Sequence, residues 1–340
     1  MIGNGYKMNL KNTDFQKIPW DDIVEFGQAS LLNSELFTVS WILSRFCNYD
    51  CSYCWPYAKS KISDHRPLTV YKDTLDEIKK QARDNGFKNF HFSFSGGEPT
   101  AYKKFKDLVE HYANDDKPEY QSFHMTSNCS PSIKWWEKTL VSLKKFNRAS
   151  ITASFHAEFA KEEEFAEKLV FLVQNGIYVT VNQVMVPERF YESYNRCRRL
   201  HEKGINVTLK PQSDPTACHV VNGYTQGMLD IMQTGFPQHF NEEMVYQIEL
   251  KDSQGNTYKF DQAERFNAFG FNKFPGWLCN SGYQSCIIRE PGGEVKRSYS
   301  CHDERLGTID EGFKLFKNPM PCMTPSCVSS ADSKIPKVKQ

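Results

Sequence analysis

Three cysteines, Cys47, Cys51 and Cys54, stand within eight positions in the stretch "SRFCNYDCSYCWPY" (44–57). Thiolates at i, i+4 and i+7 in one loop can converge on a metal centre. Structural zinc sites and closed iron-sulfur clusters take four protein ligands, so a triplet without a nearby fourth leaves a metal position open to a small molecule. The competing reading is a zinc knuckle whose fourth ligand lies elsewhere, with His65 the candidate. A second group, Cys279, Cys286, Cys301, Cys322 and Cys327, spans 279–327, and four of the five suffice for a cluster or a zinc site. Cys286 opens the apolar run "CIIRE" and reads as a strand residue rather than a ligand. Cys129, Cys197 and Cys218 stand alone and read as unligated.

Composition narrows the setting. A net charge of +1 over 340 residues lacks the basic excess of a dedicated nucleic-acid binder, and no run of about 18 apolar residues argues for a membrane span. The polar start "MIGNGYKMNLKNTDFQK" has no apolar core of the signal-peptide kind. The expected location is therefore cytoplasmic, where eleven cysteines read as metal thiolates rather than a disulfide framework.

The elements that must position these residues are legible as periodicity. Strands are expected at 37–46, 87–95, 120–128, 148–156, 177–186 and 206–212, from alternating or continuous apolar runs. Helical patterns lie between them, and Gly86, Gly176 and Gly204 fall where a helix should stop before the next strand. Strands alternating with helix-length crossovers imply a parallel sheet, and right-handed crossovers curl it into a partial (β/α)6 barrel. Chemistry then belongs at the carboxyl ends of the strands. The cysteine triplet follows the first strand, "SGGEPT" the second, and "TSNCS" the third.

The expected domains are an N-terminal extension (1–36), the barrel (37–212), a connecting region with a hairpin (213–275), a cysteine-rich domain (276–327) and a flexible tail (328–340). Trp135 and Trp136 read as packing within a helix. His156, Gln183, Lys210 and Gln212, near the ends of later strands, are candidates to hold a polar substrate. His124 is a weaker one.

The triplet resembles the signature of the radical S-adenosylmethionine superfamily, three cysteines spaced x3 then x2 with an aromatic residue, here Tyr53, before the third. The resemblance implies a 4Fe-4S cluster whose open iron binds the amino and carboxylate groups of S-adenosylmethionine. Its reductive cleavage gives a 5'-deoxyadenosyl radical that abstracts hydrogen from the substrate. Gly96, Gly97, Glu98 and Pro99 resemble the family's glycine-rich turn for the methionine amine. Two glycines permit close backbone approach, and a carboxylate can accept from an ammonium. Ser127, Asn128 and Ser154 match later cofactor-contacting positions, although "TSNC" departs from the usual Thr-Asn-Gly. Each has a plainer role as a strand end or cap.

The second cysteine group resembles SPASM and twitch extensions through Cys279, the "EPGGEV" turn, Cys301, "LGTI" (306–309), Cys322 and Cys327. The cysteine count favours a single twitch-like auxiliary 4Fe-4S cluster on Cys279, Cys301, Cys322 and Cys327. The resulting expectation is an oxidoreductase-like or lyase-like enzyme acting on a small natural-product or sugar-like molecule, with an electron donor such as flavodoxin or ferredoxin. The alternatives are a maturase of ribosomal peptides and, outside enzymes, a zinc- or cluster-stabilised binding protein.

Overall fold

A computed structural model describes residues 18–28, 31, 34–114, 118–215, 219–239, 248–260, 271–301, 305–327, 329, 332 and 334–340. Cys218 lies outside the described residues. The early elements are β1 (Ile23–Gly27), β2 (Leu36–Ile42), α1 (Leu68–Asp84), β3 (Asn89–Ser95), α2 (Phe105–Ala113), β4 (Gln121–Ser127) and α3 (Ile133–Leu143). There follow β5 (Arg148–Ser154), α4 (Glu162–Gln174), β6 (Tyr178–Met185), α5 (Phe190–Glu202), β7 (Asn206–Pro211) and α6 (Gln226–Thr234). The C-terminal third is made of short strands: β8 (Ile248–Asp252), β9 (Thr257–Phe260), β10 (Leu278–Cys279), β11 (Ser285–Arg289), β12 (Glu294–Lys296), β13 (Arg305–Thr308), β14 (Gly312–Phe313), β15 (Met320–Pro321) and β16 (Lys337–Val338).

The chain divides into two compact units, one over 40–75 and 91–239, the other over the described parts of 8–39, 76–90 and 240–340. The first carries the expected α/β alternation, with strands ordered β2-β3-β4-β5-β6-β7 and parallel pairing from β4 to β7. The six expected strands appear within a few residues of their predicted bounds. The first stops earlier than expected, at Ile42, because residues 44–46 turn their backbone toward the end of β3 instead.

Alternation in "NFHFSFS" sorts β3 by face. Phe92 and Phe94 are fully buried, and Phe94 packs between the rings of Trp41, Phe105 and Phe123 at centroid distances of 5.9, 5.8 and 5.7 Å. The opposite face is polar: Ser93 Oγ lies 2.8 Å from His124 Nδ1, and His124 Nε2 lies 3.0 Å from Thr152 Oγ1. His124 thus links three neighbouring strands. The predicted helix stops Gly86, Gly176 and Gly204 take φ of 92°, 81° and 83°, the left-handed turn that ends a helix. Trp136 is fully buried on α3 with Trp135 edge-on to it at 4.9 Å.

In the second unit an antiparallel sheet runs β15-β10-β16-β1-β8-β9. β8 and β9 form the expected hairpin around Asp252, whose carboxylate accepts from Gln254 N and Asn256 N. Two features run against the expected segmentation. β1 lies inside the stretch read as an N-terminal extension. The tail read as flexible contains β16, paired with both β1 and β10. β1 is five residues long and buried without strict alternation, and β16 is two residues long, so neither carries a clear period-2 signal in the sequence. β11 to β14 form an antiparallel meander. No helix among the described residues is long and apolar enough to cross a membrane.

Replacing Phe94 by Ala removes a side chain that three rings enclose. The expected cost is about 3–5 kcal/mol, read as a lower urea midpoint with unchanged slope. A loss below about 1 kcal/mol would show that the aromatic cluster repacks.

Candidate active site

Residues 44–46 run against the glycine turn that follows β3. Gly97 N donates to Ser44 O and Glu98 N to Phe46 O, both at 2.9 Å. A Cβ on Gly96 would stand 2.2 Å from Ser44 O, and one on Gly97 2.2 Å from Phe46 O. The sequence pointed to glycines yielding to a ligand; here they yield to the chain's own backbone, at the approach to Cys47. The cysteine loop then closes on itself. Cys47 N donates to Ser60 O (3.1 Å), Ser60 N to Arg45 O (2.8 Å) and Cys54 N to Cys51 O (3.1 Å). Lys59 Nζ donates to Cys51 O at 3.0 Å while pairing with Asp50 at 2.6 Å, and Lys61 Nζ donates to Tyr49 O at 2.9 Å.

Glu98 is 2% exposed and caps the 3-10 turn Pro99–Ala101. Its Oε1 accepts from Thr100 N (3.0 Å), Thr100 Oγ1 (2.6 Å) and Ser127 Oγ (2.8 Å), and its Oε2 accepts from Asn128 N (2.6 Å). Burial pushes its carboxyl up, and the four donors oppose that shift. The carboxylate expected to meet a ligand ammonium thus already joins the end of β3 to the end of β4. Asn128 Nδ2 donates to Asn48 Oδ1 and Asn48 Nδ2 to Ser130 Oγ, both at 2.9 Å, so the β4 end also grips the cysteine loop. Cys129 takes φ of 53°, at the position where the resembling motif carries glycine, and is fully buried.

These residues surround one cavity of about 220 Å³. Cys47, Cys51 and Cys54 line it together with Gly96, Gly97 and Glu98. Ser127, Asn128, Ser154 and His156 complete the side formed by the later strands. A second cavity of about 430 Å³ is lined by Tyr53, Glu158, Gln183, Glu188, Arg189 and Gln212 among others. Tyr53 and His156 stand between the two, with Tyr53 Oη 2.7 Å from His156 Nδ1. Glu158, which the sequence did not single out, takes Ser52 N at 2.9 Å and Ser52 Oγ at 2.6 Å. Nothing in its spacing from the cysteines signals this, since 106 residues separate the partners. Of the substrate candidates, His156 lines the smaller cavity, and Gln183 and Gln212 the larger. Lys210 lies on β7 opposite Val184 and lines neither.

The three thiols share an environment hostile to bare thiolates. Burial pushes all three up, Cys51 to about 12, with Glu158, Cys54 and Cys47 adding to the shift there. Lys59 beside Cys54 and Lys61 beside Cys47 act the other way. Desolvated, mutually repelling thiols suit a metal cation, which deprotonates its ligands outright. Among the described residues no three His, Cys, Asp or Glu side chains close on a single ion. His65, the zinc candidate, is stacked on Tyr102 at 4.8 Å, with Nδ1 2.9 Å from Ser63 Oγ.

In the second unit Cys279 lies on β10, and Cys301, Cys322 and Cys327 on loops. Their thiols are electrostatically coupled: Cys279 and Cys301 act on Cys322, and Cys279 on Cys327, after burial as the first cause. Thr324 Oγ1 donates to Cys301 Sγ at 3.5 Å. Cys327 N donates to Asn272 O at 2.7 Å and Cys322 N to Trp277 O at 2.8 Å. Cys286, on β11, is pushed up by burial alone, with no thiol acting on it. The "EPGGEV" turn joins β11 to β12, with Gly293 N donating to Glu290 Oε2 at 2.9 Å.

Residues 41–211, half of the chain, match the Radical SAM superfamily, and the chain belongs to that superfamily. Membership implies S-adenosylmethionine and a 4Fe-4S cluster as cofactors and supports an enzyme. A solved structure described as native anSMEcpe with bound AdoMet matches at 15% identity and a TM-score of 0.50, over 82% of this chain and 79% of that one. This likeness bears on the fold, a mostly parallel α/β partial barrel with a strand-rich C-terminal part. A structure of native anSMEcpe with bound AdoMet and Kp18Cys peptide matches at 14% identity and a TM-score of 0.49, with the same coverages. No curated protein matches the sequence.

Gly97→Ala forces a Cβ into Phe46 O and is expected to displace the approach to Cys47. Iron bound per chain after anaerobic reconstitution should fall by more than half; full iron content would show that the contact yields. Burial pushes His156 from 6.5 down to about 4, so below pH 6.5 the unfolded chain binds more protons than the folded one. Its contribution to stability is complete above pH 6.5 and is lost as pH falls toward 4. His156→Gln should flatten that part of a urea-measured stability profile; an unaltered profile would assign the dependence to other groups.

Proposed function

We propose that this protein is a radical S-adenosylmethionine oxidoreductase that removes a hydrogen atom from a small, polar molecule held in the larger cavity. The carrying observation is that the three thiols, the glycine turn and the polar ends of β4 and β5 line one cavity. Three thiolates leave one iron of a four-iron cluster without a protein ligand. When bound there and given one electron, S-adenosylmethionine supplies a 5'-deoxyadenosyl radical able to abstract hydrogen from a C-H bond.

The chain's own part is to hold and to exclude. Cys47, Cys51 and Cys54 bind the cluster, with Lys59 and Lys61 holding the loop carbonyls. Glu98 fixes Ser127 and Asn128 as polar walls. His156 stays neutral near pH 7, and its contact with Tyr53 forms the partition between cofactor and substrate cavities. The volume of about 430 Å³ lies in the range of small-molecule sites, and its Gln183 and Gln212 suit hydroxyl or amide groups. A second 4Fe-4S centre on Cys279, Cys301, Cys322 and Cys327 would serve as acceptor for the one electron left on the substrate after hydrogen abstraction. With loss of a proton the substrate is then oxidised by two electrons overall. The reductant for the first electron is a small redox protein of the flavodoxin or ferredoxin class, and the setting is cytoplasmic.

Anaerobically reconstituted protein should hold about eight irons per chain and release 5'-deoxyadenosine after dithionite reduction. The Cys47→Ala, Cys51→Ala, Cys54→Ala triple variant should release less than a hundredth as much. Equal release from that variant would overturn the proposal.

A further inference from the structure

Lys337 is 1% exposed and lies against the apolar cluster that contains Cys279, Cys322 and Cys327 with Phe26 and Phe274. It stands on β16 directly across from Cys279 and, on the other side, from Phe26. Its Nζ donates to two neutral carbonyls, Asp332 O at 2.9 Å and Ile335 O at 2.8 Å. It also lies 4.8 Å from the Phe274 ring centre and 5.6 Å from that of Phe26.

Burying an ammonium among apolar side chains is costly without an anion to offset it. Carbonyl dipoles and ring faces supply part of that offset. The Asp332 carboxylate, which accepts from Ser300 N and Ser300 Oγ, both at 2.9 Å, supplies one such anion: burial pushes its carboxyl up, and Lys337 acts against that shift. The other anions on offer are cysteine thiolates: Cys279 stands directly across from Lys337, and Cys322 and Cys327 share the apolar cluster of Cys279. Four thiolates around an iron-sulfur core leave a net negative group, and each reduction adds one more negative charge. A fixed buried cation beside such a group stabilises its reduced form more than its oxidised form.

We infer that Lys337 is a positioning residue whose buried ammonium, opposite Cys279, raises the reduction potential of the auxiliary centre and so suits it to accept an electron. This rests on the proposed binding of a second cluster by Cys279, Cys301, Cys322 and Cys327. A tail segment read from the sequence as frayed thereby becomes part of the redox apparatus.

The test uses the full chain, reconstituted anaerobically and titrated potentiometrically with electron paramagnetic resonance detection. Lys337→Gln keeps a donor for the carbonyls but removes the charge. Its auxiliary couple is expected to move to more negative potential, with the couple of the Cys47, Cys51, Cys54 cluster unmoved as internal reference. Lys337→Arg, which restores the charge, is expected to recover most of the shift. Lys337→Met carries the same comparison where the amide variant does not fold. Two clusters with an unmoved auxiliary couple would overturn the inference alone, as would an arginine variant as shifted as the glutamine one. About four irons in the parent, with one couple, would instead overturn the reading beneath it.

Discussion

The close contact between residues 44–46 and the Gly96-Gly97 turn is the constraint on which the cofactor site depends. Three carbonyl oxygens, those of Ser44, Arg45 and Phe46, occupy the space that side chains at 96 and 97 would need, and two backbone hydrogen bonds of 2.9 Å bind the segments together. That contact delivers Cys47 to the cavity. Immediately beyond it, Glu98 turns inward and collects four donors. A buried carboxylate left short of partners would be costly, and one fully satisfied is a rigid joint. The ends of β3 and β4 and the start of the cysteine loop are therefore positioned by one continuous polar network.

Charge is handled differently around the two groups of cysteines. In the first unit the cations are peripheral: Lys59 and Lys61 reach in from the loop to its own carbonyls, and the cavity remains open to a ligand. In the second unit three of the five cysteines, Cys279, Cys322 and Cys327, share an apolar cluster, and the buried Lys337 stands across from Cys279.

Alternation within each strand explains how one sheet serves both stability and chemistry. Phenylalanines on one face of β3 are enclosed by aromatic rings, while the other face carries the Ser93, His124 and Thr152 row. Each of β2 to β7 ends on a segment that contributes a lining residue to one of the two cavities.

Much was legible from the order of residues. The spacing of Cys47, Cys51 and Cys54 pointed to the superfamily that residues 41–211 match, because separation along the chain is a local property, and the period of the apolar residues named the strands and helices. Cys286 was legible as a strand residue from its apolar neighbours, whereas the shared apolar cluster of Cys279, Cys322 and Cys327 was not. The tertiary structure alone decided what each polar group faces. It placed Glu98 against Thr100, Ser127 and Asn128, used the glycines against the chain itself, paired Tyr53 with His156, and set Lys337 across from Cys279. Those relations join residues 29, 30, 103 and 58 positions apart, and hydrogen bonding and charge act through space, whereas periodicity and spacing act along the chain.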